Sequence, residues 1–348
     1  MRNLRIIKCV AGAGKTTDSI KYLKEHSNGL YLAYTNSVVD DIKYKGYLSK
    51  TIDSLFLNYI IPKFINVIPI INKNSTIKYL DSNNLKGYEK NILNISIDEQ
   101  GNIYNQQKKT KFTLYTKNED LIKANGVPNQ RTLLQIFQKK HLSIPQRLLN
   151  DLSNFLIVNY EKEIKQLMEK RFSYVIIDEA QDLKDFRERF AQLLYDSNLD
   201  FIVLGDDNQN IINYGKWFES LKFNEFKNRS FRTSDNICKW IRENLNIEIY
   251  GNDTEYSYYD IDYQEIKKYD NGNRVLIYNK RDKSNEEIIN KWKSEKYTIK
   301  SVKGTTIEKD IVIIGKSLSY RNLYTAITRT TKNVYCTIKK IKKWYNNI

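Results

Sequence analysis

Short runs of branched apolar residues recur along the chain, each ending abruptly in polar or glycine-rich sequence. Leu4–Val10 (LRIIKCV), Gly29–Tyr34 (GLYLAY), Val175–Ile177 (VII), Asp200–Leu204 (DFIVL), Arg274–Tyr278 (RVLIY), Asp310–Ile314 (DIVII) and Val334–Ile338 (VYCTI) are of this kind. Apolar runs without polar alternation predict strands buried on both faces, as in parallel sheets. Helical texture fills the intervals: Lys15 to about His26, a stretch through Ile42 capped by Thr35-Asn36-Ser37, Leu156–Lys170, Leu183–Leu194, a helix from Thr233 through Glu243, Asn285–Glu295 and Leu323–Arg329. Lys50–Phe56 (KTIDSLF) is a further strand-to-helix junction, and Val334–Ile338 is expected to be the last strand. Strands alternating with helices predict an α/β fold with parallel sheets.

Two sets of strand–helix units lie either side of about Asn228, and the pattern breaks between Pro62 and Asn150. There Ile65–Ile71 is apolar, and Asn72–Asn105 is polar and turn-rich (Ser82-Asn83-Asn84, Gln100-Gly101-Asn102). Lys111–Tyr115 alternates like a strand, while Arg131–His141 and Ile144–Leu156 look amphipathic and helical. This reads as an inserted subdomain with a basic stretch, Gln107–Lys111. The predicted domains are residues 1–61 with 151–227, the insertion 62–150, and 228–348 without a large insertion. Tyr250–Asn273 is tyrosine-rich and acidic, with little periodicity.

A chain of 348 residues can build two or three real cores, and 41% hydrophobic with 12% aromatic content excludes a disordered chain. No apolar run is long enough to span a bilayer, so no membrane association is expected. The start, MRNLRIIKCVAGAGKTT, is neither signal nor transit peptide, which makes a cytoplasmic location the expectation. Cys9, Cys238 and Cys336 are too scattered for a disulfide framework or metal spacing, and two histidines, His26 and His141, make a histidine-based metal site or triad unexpected. The net charge of +16 points to a polyanionic partner, although richness in Lys, Asn, Ile and Tyr is also what AT-rich coding gives.

Candidate chemistry sits at the strand ends. After Leu4–Val10 comes Ala11-Gly12-Ala13-Gly14-Lys15-Thr16-Thr17 and then a helix, the context a phosphate-binding loop requires. Gly12, Ala13 and Gly14 would close backbone N–H groups on phosphate oxygens at a helix N-terminus. Lys15 would reach the β- and γ-phosphates, Thr16 would ligate Mg2+, and Thr17 completes the loop. The strict pattern has Gly where this chain has Cys9. Val175–Ile177 ends in Asp178 and Glu179, at the strand end where open α/β sheets bind ligands. Asp178 is placed to hold Mg2+ and Glu179 to deprotonate a water; the plainer alternative is an acidic helix start. Gly205-Asp206-Asp207-Asn208-Gln209 is either a γ-phosphate sensor centred on Gln209 or an ordinary capped turn. Phe231 and Arg232 are candidates to stack on a nucleobase and reach a phosphate, with a plain structural pair as the alternative. Lys303 and Arg329 add cations, and Tyr34 ends a strand where it either stacks a base or packs in the core.

Taken in order, these motifs resemble those of UvrD/Rep-like superfamily-1 helicases. AGAGKTT resembles the phosphate loop, AYTNSVV the aromatic-Thr-Asn motif, KTIDSLF the Thr-Phe-His-Ser motif, and VIIDEAQD the DEXQD box. LGDDNQNII resembles GDxxQSIY, SFRTSDNI the NYRS motif, TIKSVKG the TIHSxKG motif, and RNLYTAITRT the last, arginine-bearing motif. The resemblance implies two RecA-like P-loop NTPase domains, with ATP and Mg2+ as cofactors. It implies that Glu179 is the catalytic base, that Gln209 couples γ-phosphate to nucleic acid, that Phe231 stacks on adenine, and that Arg232 and Arg329 are arginine fingers. It also implies a single-strand track: Tyr34 and Tyr214 as stacking aromatics, with Asn36 in the same motif as Tyr34, and Thr35, Thr51 and Lys300 near phosphates.

The departures are specific. The family's adenine-reading Gln upstream of the first strand is expected to be absent; Ile212 replaces a Tyr, Gly215 an Arg, and Asp53 a His; and Leu-Glu after Lys303-Gly304 becomes Thr305-Thr306. The expected function is a nucleic-acid-stimulated ATPase that translocates on single-stranded DNA and unwinds duplex, working with a replication or repair protein partner. A viral-type RNA helicase and a nucleotide-binding regulatory module are the alternatives. Retention of Glu179, Gln209, Arg232 and Arg329 together argues against the regulatory module.

Overall fold

The computed structural model describes residues 2–68, 71–80, 95–105, 110–112, 141–211 and 215–342. The chain divides into two compact units. The first contains Met1–Leu4, His26–Ile177 and Leu183–Phe201; the second contains Arg5–Glu25, Asp178–Asp182 and Ile202–Ile348. Both are α/β, with parallel strands at their centres.

In the first unit the strand Gly29–Ala33 runs parallel to Ser49–Thr51 on one side and to Tyr174–Ile177 on the other. Leu30, Tyr31, Leu32, Val175 and Ile176 are wholly buried, which is why these segments carry no polar alternation. Gly29 is required by close approach, since a Cβ there would lie 1.9 Å from the Tyr174 ring. Phe56 packs edge-on against both Phe186 and Phe190. A parallel pair, Thr76–Tyr79 with His141–Ile144, and an antiparallel meander, Ile95–Ile97, Ile103–Asn105 and Thr110–Phe112, fill the region where the sequence changes texture. Ser82-Asn83-Asn84, residues 107–109 of the basic stretch, 113–115 of the expected Lys111–Tyr115 strand, and 131–140 of the expected Arg131–His141 helix lie outside the described residues.

In the second unit Leu4–Cys9 is flanked by Glu225–Lys227, in parallel, and by Asp200–Gly205. A separate five-stranded sheet runs in the order Tyr258–Asp260, Val334–Cys336, Ile311–Ile314, Val275–Tyr278, Lys296–Thr298, and every pairing in it is parallel. Ile311, Val312, Ile313 and Ile314 are all buried at its centre.

Several expected elements end elsewhere, for local reasons. The single helix expected over Leu156–Lys170 is two, Gln146–Asn159 and Glu161–Arg171. Tyr160 leaves helical geometry because its ring packs against Phe64 and Phe155. The helix expected from Ile144 starts at Gln146, since Ile144 is paired in a strand and Pro145 disfavours helical geometry in the residue before it. The expected helix Asn285–Glu295 shortens to Glu286–Lys291, because Trp292 turns extended and enters a core with Ile266, Leu276 and Val312. The helix expected over Leu183–Leu194 begins at Phe186. The helix expected over Leu323–Arg329 is Tyr320–Ile327, started by Ser319, whose side chain accepts from Asn322 N. Val334–Cys336 is not the last strand, as Lys340–Lys342 pairs with Ser317–Ser319. The tyrosine-rich stretch is ordered by rings: Tyr258 stacks on Trp240 and Tyr259 on Tyr335.

Asp53 has a structural partner. Its Oδ2 accepts from Arg187 Nη2 at 2.6 Å and from Gln146 Nε2 at 2.9 Å, and Arg187 is buried. Removing one member of a buried pair leaves the other charge uncompensated. Asp53→Ala is therefore expected to destabilise the protein by about 1–3 kcal/mol. Urea denaturation is the measurement, and an unchanged midpoint would show the pair to be idle.

Candidate active site

The strand Leu4–Cys9 runs into buried Val10 and Ala11, and the backbone then turns through Gly12 at φ 75° and Gly14 at φ 80°. Gly12 is needed twice over: its conformation is left-handed, and a Cβ would sit 2.6 Å from Ser230 Oγ and 3.0 Å from Arg232 Cβ. Its carbonyl accepts from Phe231 N at 2.9 Å, which ties the loop to the strand Arg229–Ser234. The helix Lys15–Glu25 starts at once. Ala13 is buried, Thr16 half-buried and Thr17 exposed at its first turn, where backbone N–H groups lack helical partners. Cys9 is wholly buried in the strand, and burial pushes its thiol up to about 12.

Asp178 is buried at the end of Tyr174–Ile177. Glu179 follows with φ 54°, a left-handed conformation that a non-glycine side chain adopts at a cost and that clusters at functional sites. Its amide donates to Asp178 Oδ1 at 2.8 Å. One carboxylate oxygen lies 3.4 Å from Lys15 Nζ, and the other accepts from Gln181 Nε2. Burial alone would raise the Glu179 carboxyl, but Lys15, Lys303, the Gln181 bond and Arg329 together hold it well below the usual range. Burial would lower Lys15, yet Glu179, Asp178 and Asp206 raise it above its ordinary value.

The loop after Asp200–Gly205 brings Gln209 inward, buried. Gln209 Nε2 donates to Asp206 Oδ2 at 3.0 Å, and its Oε1 accepts from Arg329 Nη2 at 3.1 Å. Arg329 lies two residues past the helix Tyr320–Ile327, is 2% exposed, also donates from Nε to Thr325 O at 3.1 Å, and has its pKa lowered by burial. Arg232 Nη1 donates to Thr306 Oγ1 at 3.2 Å, while its Nε is buried with no partner among the described residues. Burial, then the nearby Arg329, lowers Arg232 to about 9. Lys303 bonds Asp182 and Gln209 O. Burial pushes Asp182 up to about 6 against the pull of Lys303.

These residues surround one cleft of about 460 Å³, lined among others by Lys15, Thr16, Glu179, Gln209, Arg232 and Arg329. Phe231, 67% exposed, stands at its edge with its ring 3.7 Å from where a Gly14 Cβ would be. The donor set fits a nucleoside triphosphate: the Lys15 ammonium, the Arg232 and Arg329 guanidinium groups and the first residues of the helix Lys15–Glu25 line the same cleft, and the Arg232 Nε has no partner among the described residues. Among the described residues no cluster of three or more His, Cys, Asp or Glu side chains could hold a metal. Mg2+ needs none, because it binds through one or two protein oxygens plus phosphates and waters, a role that the Thr16 hydroxyl and the Asp178 carboxylate suit.

The positions expected to contact a strand are described separately. Tyr34 is half-buried, and Thr35 and Asn36 are exposed at the start of the helix Asn36–Tyr44, all in the first unit. Thr35 holds the N-cap position within the expected capping stretch, with extended backbone angles and no side-chain capping bond. Thr51, also in the first unit, accepts from Ser54 N at 3.1 Å, so its hydroxyl caps a short helix. Lys300 is exposed in the second unit, in the turn after Lys296–Thr298. Tyr214 and Ile212 lie outside the described residues. Asp206, Gln181 and Tyr324, which bond to the cleft residues, were not singled out from sequence. All three sit inside the quoted motifs and could have been, although the motifs do not say what a buried tyrosine bonds.

The family profile described as "UvrD/REP helicase N-terminal domain" matches residues 19–216. That stretch takes in the acid pair and Gln209 but neither the phosphate loop nor the two arginines. The ATP-dependent DNA helicase Rep of Buchnera aphidicola subsp. Acyrthosiphon pisum (strain APS) is 29% identical over 164 residues, covering 42% of this chain. The chain spans only 23% of the length of that relative. Among solved structures, the PRRSV helicase superposes with a TM-score of 0.48 at 13% identity, over 96% of this chain and 52% of that one. The Arterivirus nonstructural protein 10 (helicase) in complex with DNA gives 0.47 at 10% identity, over 97% and 61%. No helix among the described residues is long and apolar enough to cross a membrane.

Proposed function

The chain belongs to the UvrD/REP helicase family, and from that premise we propose that it is a nucleic-acid-stimulated ATPase that moves along single-stranded DNA. The observation that carries the reading is the single cleft in which Lys15, Glu179, Gln209, Arg232 and Arg329 converge. Binding a nucleotide needs only the loop and the lysine; hydrolysing it calls for a base and for cations on the developing charge.

Lys15 and the loop amides bind the phosphates, and Phe231 packs against the base. Thr16 and Asp178 would hold Mg2+, which would supply charge neutralisation on the phosphates. Glu179 orients the attacking water and takes its proton. Lys15 Nζ stands 3.4 Å from Glu179 Oε1. Moving that ammonium onto phosphate frees the carboxylate and raises its proton affinity, as a base requires. Gln209 senses the γ-phosphate, and Arg232 and Arg329 neutralise the charge that develops on it.

The two RecA-like domains and the inserted subdomain at 62–150 are part of the same reading. The chain between Asn279 and Thr298 forms only a 3-10 turn, the helix Glu286–Lys291 and the strand Lys296–Thr298. A motor with nothing larger there steps on single strands and separates duplex weakly without a protein partner, because each DNA step costs on average about 1.4 kcal/mol to open. The experiment is phosphate release with and without single-stranded DNA or RNA. Stimulation by DNA supports the reading, stronger stimulation by RNA favours an RNA helicase, and nucleotide binding without turnover would replace both with a regulatory module.

The track is tested separately. Tyr34→Ala is expected to weaken single-strand binding by roughly 1–3 kcal/mol with little sequence preference, as loss of one stacked base does. The parent's affinity should fall steeply with salt as lysines displace counterions. Unchanged affinity in the variant would return Tyr34 to the core.

A further inference from the structure

Asp206 is a buried junction. Its Oδ2 accepts from Gln209 Nε2 and from Tyr324 OH, both at 3.0 Å, its Oδ1 accepts from Asn208 N, and its amide donates to Gln181 Oε1. Gln181 in turn bonds Glu179, and Gln209 bonds Arg329. Tyr324, wholly buried on the helix Tyr320–Ile327, completes the figure: its hydroxyl accepts from Ala11 N at 2.9 Å. Ala11 opens the phosphate loop, so one hydroxyl joins that loop to the carboxylate that orients Gln209.

We propose, on the ATPase reading above, that Tyr324 is a positioning residue that sets Gln209 and Arg329 against the phosphate loop through Asp206. Its ring packs in the core, but its hydroxyl is the sole group in the described network that bonds both the loop backbone and Asp206. Without the hydroxyl the Ala11 amide loses its partner, and Asp206 holds Gln209 with no anchor to the loop. Buried polar networks of this kind act as a unit, and a member removed leaves its partners unsatisfied. Arg321 on the same helix reinforces the arrangement by bonding Asn210 O and Glu219, so the helix grips the segment after Gln209 as well.

The loss should fall on turnover and not on nucleotide affinity, because Tyr324 bonds no cleft-lining phosphate donor: Ala11, whose amide donates to the hydroxyl, is not among the residues that line the cleft. The test uses the full chain with Tyr324→Phe, Asp206→Asn and the double variant. Steady-state hydrolysis with single-stranded DNA gives kcat and KM, and a fluorescent ATP analogue gives Kd. Tyr324→Phe is expected to lower kcat at least about tenfold and leave Kd within about twofold. Asp206→Asn should lower kcat comparably, and the double variant should be little worse than either, because coupled residues are not additive. Asp206→Asn and the parent carry the test if Tyr324→Phe does not fold: unaltered turnover in a folded Asp206→Asn overturns the proposal. So does a Tyr324→Phe with parental kcat, a Kd that weakens in step with kcat, or losses that multiply independently. A parent that binds nucleotide but hydrolyses none overturns the ATPase reading itself, and this proposal with it; a hydrolysing parent with indifferent variants overturns only the role of Tyr324.

Discussion

Glu179→Gln is expected to bind nucleotide as the parent does and to show no measurable steady-state hydrolysis. The substitution keeps volume and shape and removes only the proton acceptor. An amide oxygen still accepts from Gln181 Nε2, so the link from Glu179 through Gln181 to Asp206 survives. General-base removal costs typically about 10²–10⁴ in rate, which is the loss expected of this variant. Lys15→Ala is the contrast. Lys15 is the buried cation against Glu179, and its loss removes phosphate binding while stripping the carboxylate of its chief positive neighbour. That variant should lose affinity and turnover together. Phosphate release and binding of a fluorescent nucleotide, measured side by side, separate the two. A Glu179→Gln protein hydrolysing at the parental rate would remove Glu179 from the role of base.

The cleft was legible because its parts are written as strand-end motifs. A buried parallel strand leaves little freedom in its sequence, so Val175–Ile177 and Asp310–Ile314 announce themselves, and the groups just past such strands are the ones a ligand meets. What the motifs could not convey was who holds whom. The contacts between Tyr324 and Asp206, or Arg232 and Thr306, join residues 118 and 74 apart in the chain and depend on packing. The misplaced helix ends have the same origin. Tyr160 breaks a helix because Phe64 and Phe155 hold its ring, and Trp292 ends another by entering a core; local propensity at those positions is indifferent. Asp53, noticed only as a departure from a family pattern, proved to be paired with Arg187, a partner no spacing rule connects to it.

Arg329→Ala and Arg232→Ala are each expected to lower kcat by about three orders of magnitude, the scale on which arginine fingers act. The two are held differently, and the variants should differ accordingly. Arg329 is enclosed and bonded to Gln209 Oε1 and Thr325 O, so its removal takes the donor from Gln209 Oε1 and leaves Thr325 O only the longer bond from Thr328 Oγ1, and should also lower thermal stability. Arg232 rests on Thr306 Oγ1 and has an unpartnered Nε, so its removal should leave stability close to the parent. Its affinity for protons is lowered to about 9 by burial and by Arg329, which leaves it charged at neutral pH. Lysine is not expected to restore either position, because a point charge cannot offer the planar fork that spans two phosphate oxygens. Single-strand binding without nucleotide should survive both alanine variants, since that surface is assigned to other residues. Near-parental hydrolysis by either variant would make that arginine a structural cation, and parental thermal stability in Arg329→Ala would mean that its bond to Gln209 carries no weight in the folded protein.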